Sequence, residues 1–137
     1  MKQDSFKVRT RPRQFEDVTA RISEIVQRGG VAAGVCNVFL RHTSASLLIC
    51  ENADPSVRRD LEHFMQRLAP DGASNYEHDT EGPDDMPAHI RATLAGISLS
   101  LPVRNGRLSL GTWQGVYVWE HRTSAHEREL VVTVIGE

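Results

Sequence analysis

Two histidines, five carboxylates and two prolines crowd into the fifteen residues from Tyr76 to Ile90, YEHDTEGPDDMPAHI. Imidazole and carboxylate are the groups that ligate metals and move protons near neutral pH. They recur at the ends of two apolar runs, as His42 in RHTSAS and as Glu120 and His121 in GTWQGVYVWEHR. A catalytic metal commonly takes three protein ligands and keeps one position open. His42, His78 and His89 offer three imidazoles at element boundaries. The turn GPDDMP lies between His78 and His89 and can fold back to bring the two rings together. Asp84 or Asp85 would then serve as ligand or as the group that orients one. The spacing matches no His-x-x-x-His or Cys-x-x-Cys pattern, so surface or hydrogen-bonded structural histidines are the competing reading. His63 and His126 are read that way.

The remaining candidates are polar groups beside glycine or at strand ends. Along a strand, Glu120 and Arg122 should share one face and His121 the other. Arg122 is a good fork for a phosphate or carboxylate. Gly111 and Gly115 bracket Thr112, Trp113 and Gln114, where glycine permits a close approach to a ligand. Trp113 is either a stacking face for a flat ring or core. Thr43, Ser44 and Ser46 follow His42, but no G-x-S-x-G elbow is present, so a hydrolytic triad is disfavoured and an anion cradle preferred.

These groups must be positioned by short elements. Ser5–Arg11 alternates as a first strand. Phe15, Val18, Ile22, Ile25 and Val26 fall at helical spacing, and Gly29-Gly30 stops that helix. Val31–Leu40 is a strand, and Ser46–Cys50 reads as its neighbour. Asp54-Pro55 opens a second helix by capping, with Val57, Leu61, Phe64, Met65 and Leu68 as its apolar face. Pro87 starts a short third helix that Gly96 closes. Ile97, Leu99, Leu101 and Val103 alternate up to the hairpin signal Asn105-Gly106, and Leu108 and Leu110 continue on the other arm. Val116 and Val118 form another strand, and Leu130–Ile135 closes the chain. The expectation is α+β: one domain over residues 1–137, a largely antiparallel, sandwich-like β-sheet and two to three inserted helices.

Composition narrows the partners. The 137 residues suit one compact domain. A net charge of −2 gives no basic surplus for nucleic acid. No apolar run approaches membrane-spanning length, and the first residues hold no signal-peptide apolar region. Cys36 and Cys50 sit in apolar strands and read as buried free thiols. The expected location is the cytoplasm.

The stretches HTSASLLICENADPSVRRDLE, YEHDTEGPDDMPAHI and SLSLPVRNGRLSLGTWQGVYVWEHR, with the terminal VVTVIGE, resemble the YjbQ-like family in its own order. That family is linked to a secondary thiamine-phosphate synthase activity. The resemblance covers the chain from about Phe6 onward; Cys50 stands where a more polar residue is expected. It implies a compact α+β fold assembled as a homotrimer. It implies His42, His78 and His89 as metal-site histidines, and Asn52, Asp85, Thr112, Gln114, Glu120, His121 and Arg122 around the pocket. The implied reaction joins hydroxymethylpyrimidine diphosphate to thiazole phosphate and releases diphosphate. Asp85, Glu120, His121 and Arg122 are the expected catalytic residues, and Ser44, Asn52, Thr112, Trp113 and Gln114 the expected substrate contacts. Three histidines suit zinc or another transition metal better than magnesium. Two other readings stay open: a metal-dependent hydrolase of a phosphorylated metabolite, and a non-enzymatic protein that binds metal or metabolite.

Overall fold

A computed structural model describes the backbone of residues 1–137 and every side chain except that of Ala73. Eight strands form two antiparallel sheets. The larger has the order β1 (Lys2–Arg9), β8 (Glu127–Gly136), β3 (Gly34–Leu40), β5 (Ser98–Arg104), β6 (Arg107–Leu108). The smaller has the order β2 (Phe15–Asp17), β7 (Gln114–Glu120), β4 (Ala45–Glu51). The expected α+β sandwich is what the chain adopts.

The core lies between the sheets. Cys36, Val38 and Leu40 from β3 meet Leu130, Val132 and Val134 from β8 in register, Cys36 opposite Val134. Leu47, Val116 and Val118 face them from the smaller sheet. The helix α1 (Thr19–Gly29) adds Ile22, Ile25 and Val26 to the same core. Each such side chain contributes about 1.5–3 kcal/mol on burial. Both cysteines are free and buried, and burial pushes the Cys36 thiol up to about 11.

The far face of the smaller sheet is covered by α2 (Pro55–Leu68) and α3 (Asp85–Ala95). Glu62 of α2 accepts from Trp119 Nε1 at 3.1 Å and from Arg91 of α3 at 2.9 Å. One carboxylate thus ties two helices to β7. Asp54 caps α2 as expected, accepting from the Ser56 amide at 2.9 Å. Asn105 and Gly106 both take positive φ, 52° and 73°, the backbone of a type I′ hairpin.

Three expectations are corrected. Phe15 begins β2 rather than a helix; it pairs with Trp119 and stacks on it at 4.5 Å, so an aromatic contact overrides its helical spacing. β4 pairs with β7 and not with β3, because the turn at His42–Ser44 carries the chain from one sheet to the other. On α2 only Met65 is buried, and Phe64 and Leu68 are about half exposed at 52% each. No helix among the described residues is long and apolar enough to cross a membrane.

Candidate functional site

The site is assembled where α3 begins. Asp85 is its first residue and His89 lies one turn on, so both side chains share a face. Pro87 is tolerated there because first-turn amides have no intrahelical partner. The loop before α3 brings His78 back over this turn. His78 Nε2 lies 2.8 Å and His89 Nε2 3.1 Å from the same oxygen, Asp85 Oδ2. One ligand atom from each of the three residues lies within 4.8 Å of the others.

Asp85 is buried, and its other oxygen receives Arg122 Nη1 at 2.9 Å. Burial acts to raise its pKa, but the bond with His78 and the charges of His89 and Arg122 outweigh it and hold the carboxyl below its ordinary range. Asp84 beside it behaves alike. Burial is opposed by Arg122 Nε and the Thr123 amide, both at 2.9 Å, which keep it ionised. Asp84 stands at the N-cap of α3, yet its side chain makes no cap bond; it holds Arg122 instead.

Proton placement shows what the cluster can hold. His89 Nδ1 lies 3.0 Å from the Thr43 carbonyl oxygen, which only accepts, so that nitrogen carries a proton. Its Nε2 then faces an ionised carboxylate. Either Nε2 is also protonated, giving an imidazolium, or a cation takes the proton's place. Two imidazoles and a carboxylate, with one ring fixed through its second nitrogen by a carbonyl, suit a divalent transition metal. The donors are reached from two sides. A cleft of about 330 Å³ is lined by His42, Thr43, His89, Ala92, Thr93, Gly96 and Ile97. Another, lined by Asn75, Tyr76, Glu77, His78 and Met86, opens beside His78.

Other expected residues are placed differently. His42 lines the first cleft but stands outside the three-donor cluster. Its Nε2 accepts the Glu129 amide at 2.7 Å, which takes the lone pair a metal would need, and Asp85 is the third member of the group that could hold one. Burial, then the charge of Arg128, lowers its pKa and keeps the ring neutral. Arg122 is fully engaged by Asp84, Asp85 and the Glu81 carbonyl, so it orients the site and is not a free anion fork. Glu120 is fully buried between the sheets, bonded to Arg128 and to Thr10 Oγ1 at 2.6 Å. His121 is equally buried on the opposite face, against Trp119 and 2.8 Å from Ser46 Oγ. Burial, then the nearby arginines Arg91, Arg13 and Arg128, push it down to about 3. Neither Glu120 nor His121 can meet a substrate in this arrangement. Ser44 Oγ is buried and accepts from Arg128 at 3.0 Å.

Thr112, Trp113 and Gln114 lie at the other end of the smaller sheet. Glu51 pairs with Gln114 there, whereas Ala45 pairs with Glu120 at the histidine end. Seven strand residues separate the two ends, on the order of 20 Å. Asn52 donates to the Thr112 carbonyl at 3.2 Å and so pins this loop. Trp113 is 63% exposed, which removes its reading as core. The sequence reading missed Arg128 and Arg91. Arg128 had a legible signal, since it shares inward parity with Leu130, Val132 and Val134. Arg91 lay on a weakly amphipathic helix and had none.

Comparison with known proteins places the chain in a family. Residues 4–137 match the family model described as UPF0047 protein YjbQ-like. A UPF0047 protein of Synechocystis is 50% identical over 135 residues, covering 98% of this chain and 92% of its own. The UPF0047 protein YjbQ of Salmonella typhimurium is 47% identical over 128 residues, covering 93% and 92%. Among solved structures, a hypothetical protein from Aeropyrum pernix superposes with a TM-score of 0.90 at 33% identity over 100% of both chains. An uncharacterized yjbq/upf0047 family protein from Clostridium acetobutylicum gives 0.89 at 37% identity over 96% of this chain and 99% of that one. With nearly the whole chain matched in sequence and in fold, it belongs to the YjbQ-like UPF0047 family.

Proposed function

We propose that the chain is a small-molecule enzyme whose centre is a divalent transition metal held by His78, Asp85 and His89, acting on a phosphorylated metabolite. The observation that carries this reading is the single oxygen, Asp85 Oδ2, facing two imidazole nitrogens while Arg122 holds the carboxylate ionised. A bound metal would supply Lewis acidity toward a phosphoryl oxygen or a diphosphate leaving group. The chain's own residues do the rest. Thr43 fixes the His89 ring, Arg122 fixes Asp85, and Asp84 fixes Arg122. The cleft beside His89 is lined by no carboxylate, lysine or arginine, and Ala92 and Ile97 give it apolar walls. Such a cleft suits a substrate's flat ring better than its phosphates.

The reaction proposed is the one the resemblance implies, condensation of hydroxymethylpyrimidine diphosphate with thiazole phosphate, in a homotrimer. Metal-dependent hydrolysis is the second reading, favoured by the engagement of Arg122: diphosphate departure wants a free cationic clamp, and hydrolysis at a metal does not. Incubation with both condensation substrates and zinc or manganese tests the choice. Thiamine phosphate formation that His89→Ala reduces at least about a hundredfold supports condensation. Phosphate or diphosphate release without any thiazole phosphate, equally lost in His89→Ala, supports hydrolysis. No turnover of either kind contradicts the enzyme reading.

A further inference from the structure

We infer that a second ligand site lies in the arginine-lined cleft between α2 and the chain entering β2, and that it takes a small molecule bearing a phosphate dianion. The cleft encloses about 480 Å³, and Arg11, Arg13, Arg58, Arg59, Phe15 and His63 are among its lining. The chain's net charge is −2, so four guanidiniums in one concavity do not reflect a generally basic surface.

The partners of each arginine show where charge remains. Arg11 Nε is bound to Glu16 at 2.8 Å, and Arg13 forks onto Asp71 at 2.7 and 2.8 Å while its Nε holds the His121 carbonyl. Those two are compensated and fixed. Arg58 donates to the Glu51 carbonyl at 3.0 Å and the Tyr117 hydroxyl at 3.4 Å, and its guanidinium lies 5.2 Å from the Tyr117 ring centroid. These partners position it but cancel none of its charge. Arg59 is exposed and has no side-chain partner among the described residues. Glu62 is the only carboxylate lining the cleft, and Arg91 and Trp119 take it up. Asp54, in the turn that starts α2, directs its carboxylate to Ser56 as the helix cap.

The charges of both arginines help hold Asp54 ionised, but neither forms an ion pair with it or with a lining acid, so two guanidiniums face the cleft with that one carboxylate outside it to offset them. A planar guanidinium matches phosphate oxygens in geometry, and two match a monoester dianion in charge. Phe15, stacked on Trp119, supplies an apolar wall for the rest of the ligand. Glu16 and Asp71 on the flanking arginines interrupt any longer basic track, which favours a small molecule over a nucleic-acid strand. None of His78, Asp85 and His89 lines this cleft, so the inference stands apart from the metal reading.

Calorimetric titration of the full chain, first treated with EDTA, with a nucleoside monophosphate and with inorganic phosphate tests it. Saturable binding at one site per chain is expected. Arg59→Glu should weaken it at least about tenfold, the scale of one charge-assisted hydrogen bond. Arg107→Glu, an exposed change on β6, and Asp85→Asn should both leave it intact. Absence of saturable binding, wild-type affinity in Arg59→Glu, or equal weakening by Arg107→Glu overturns the site. So does loss of binding in Asp85→Asn, which would move the phosphate to the histidine centre. A single-stranded oligonucleotide that binds more tightly than the mononucleotide overturns the assignment to a small molecule.

Discussion

Asp85 divides its two oxygens, Oδ1 toward Arg122 and Oδ2 toward His78 and His89. That division anchors the side chain through one oxygen and, in the proposed metal centre, leaves the other to serve as a ligand. His121 shows the opposite outcome for an ionisable residue. It is fully buried, neutral and held by Ser46, so its effect is on stability. Its folded pKa, about 3, lies below the unfolded value of about 6.5. Its contribution is therefore complete above about pH 6.5 and is lost as pH falls toward 3, by at most about 1.4 kcal/mol per unit. Urea unfolding at pH 7 and pH 5 should show the midpoint falling further in the wild type than in His121→Phe. Equal falls would contradict the neutral buried ring. Residue types and boundaries pointed from the sequence to His42, His78 and His89 with Asp84 or Asp85 beside them, of which His78, Asp85 and His89 come together. Which nitrogen faces which oxygen did not show, since that depends on how a polar loop folds over the first turn of α3.

Among the elements, those with strong local signals were legible. The Asp54-Pro55 cap, the Asn105-Gly106 hairpin and the alternation of β5 each specify backbone by local chemistry, and each is observed. Pairing was not legible where it depends on distant partners. Phe15 is taken into β2 by Trp119, more than a hundred residues away, and β4 crosses to the sheet that β7 leads. Parity along β7 held through Glu120 and failed at Arg122, because the strand ends there and the chain turns to Asp84. Gly34 tests the closeness of the central pairing. A Cβ there would lie 2.0 Å from the Ile135 carbonyl oxygen and 2.8 Å from Gly136 Cα, both backbone. Gly34→Ala should destabilise the protein by about 1–3 kcal/mol through overpacking, read as a lower thermal midpoint. An unchanged midpoint would contradict the β3–β8 register.

Across the whole molecule, the sandwich leaves the outer face of the larger sheet bare. Val35 and Phe39 of β3 and Ile135 of β8 are exposed there at 48%, 41% and 56%. The proposed homotrimer has such a face available for burial, and sedimentation equilibrium should return three times the chain mass of 15.3 kDa; a monomer at micromolar concentration would contradict it. The separation of Trp113 from the histidines belongs to this scale too. The resemblance implied one pocket for Thr112, Gln114 and the histidines, with Trp113 as a substrate contact, and the strand length of β4 and β7 holds the two ends apart within the chain. The central claim concerns the metal. Elemental analysis of the purified protein beside Asp85→Asn and His89→Ala tests it most directly. The account predicts about one equivalent of a transition metal per chain, or its uptake from added zinc or manganese, with at least a tenfold loss in both variants. A protein that takes up no metal, or variants that hold it as tightly as the wild type, would contradict the His78–Asp85–His89 centre.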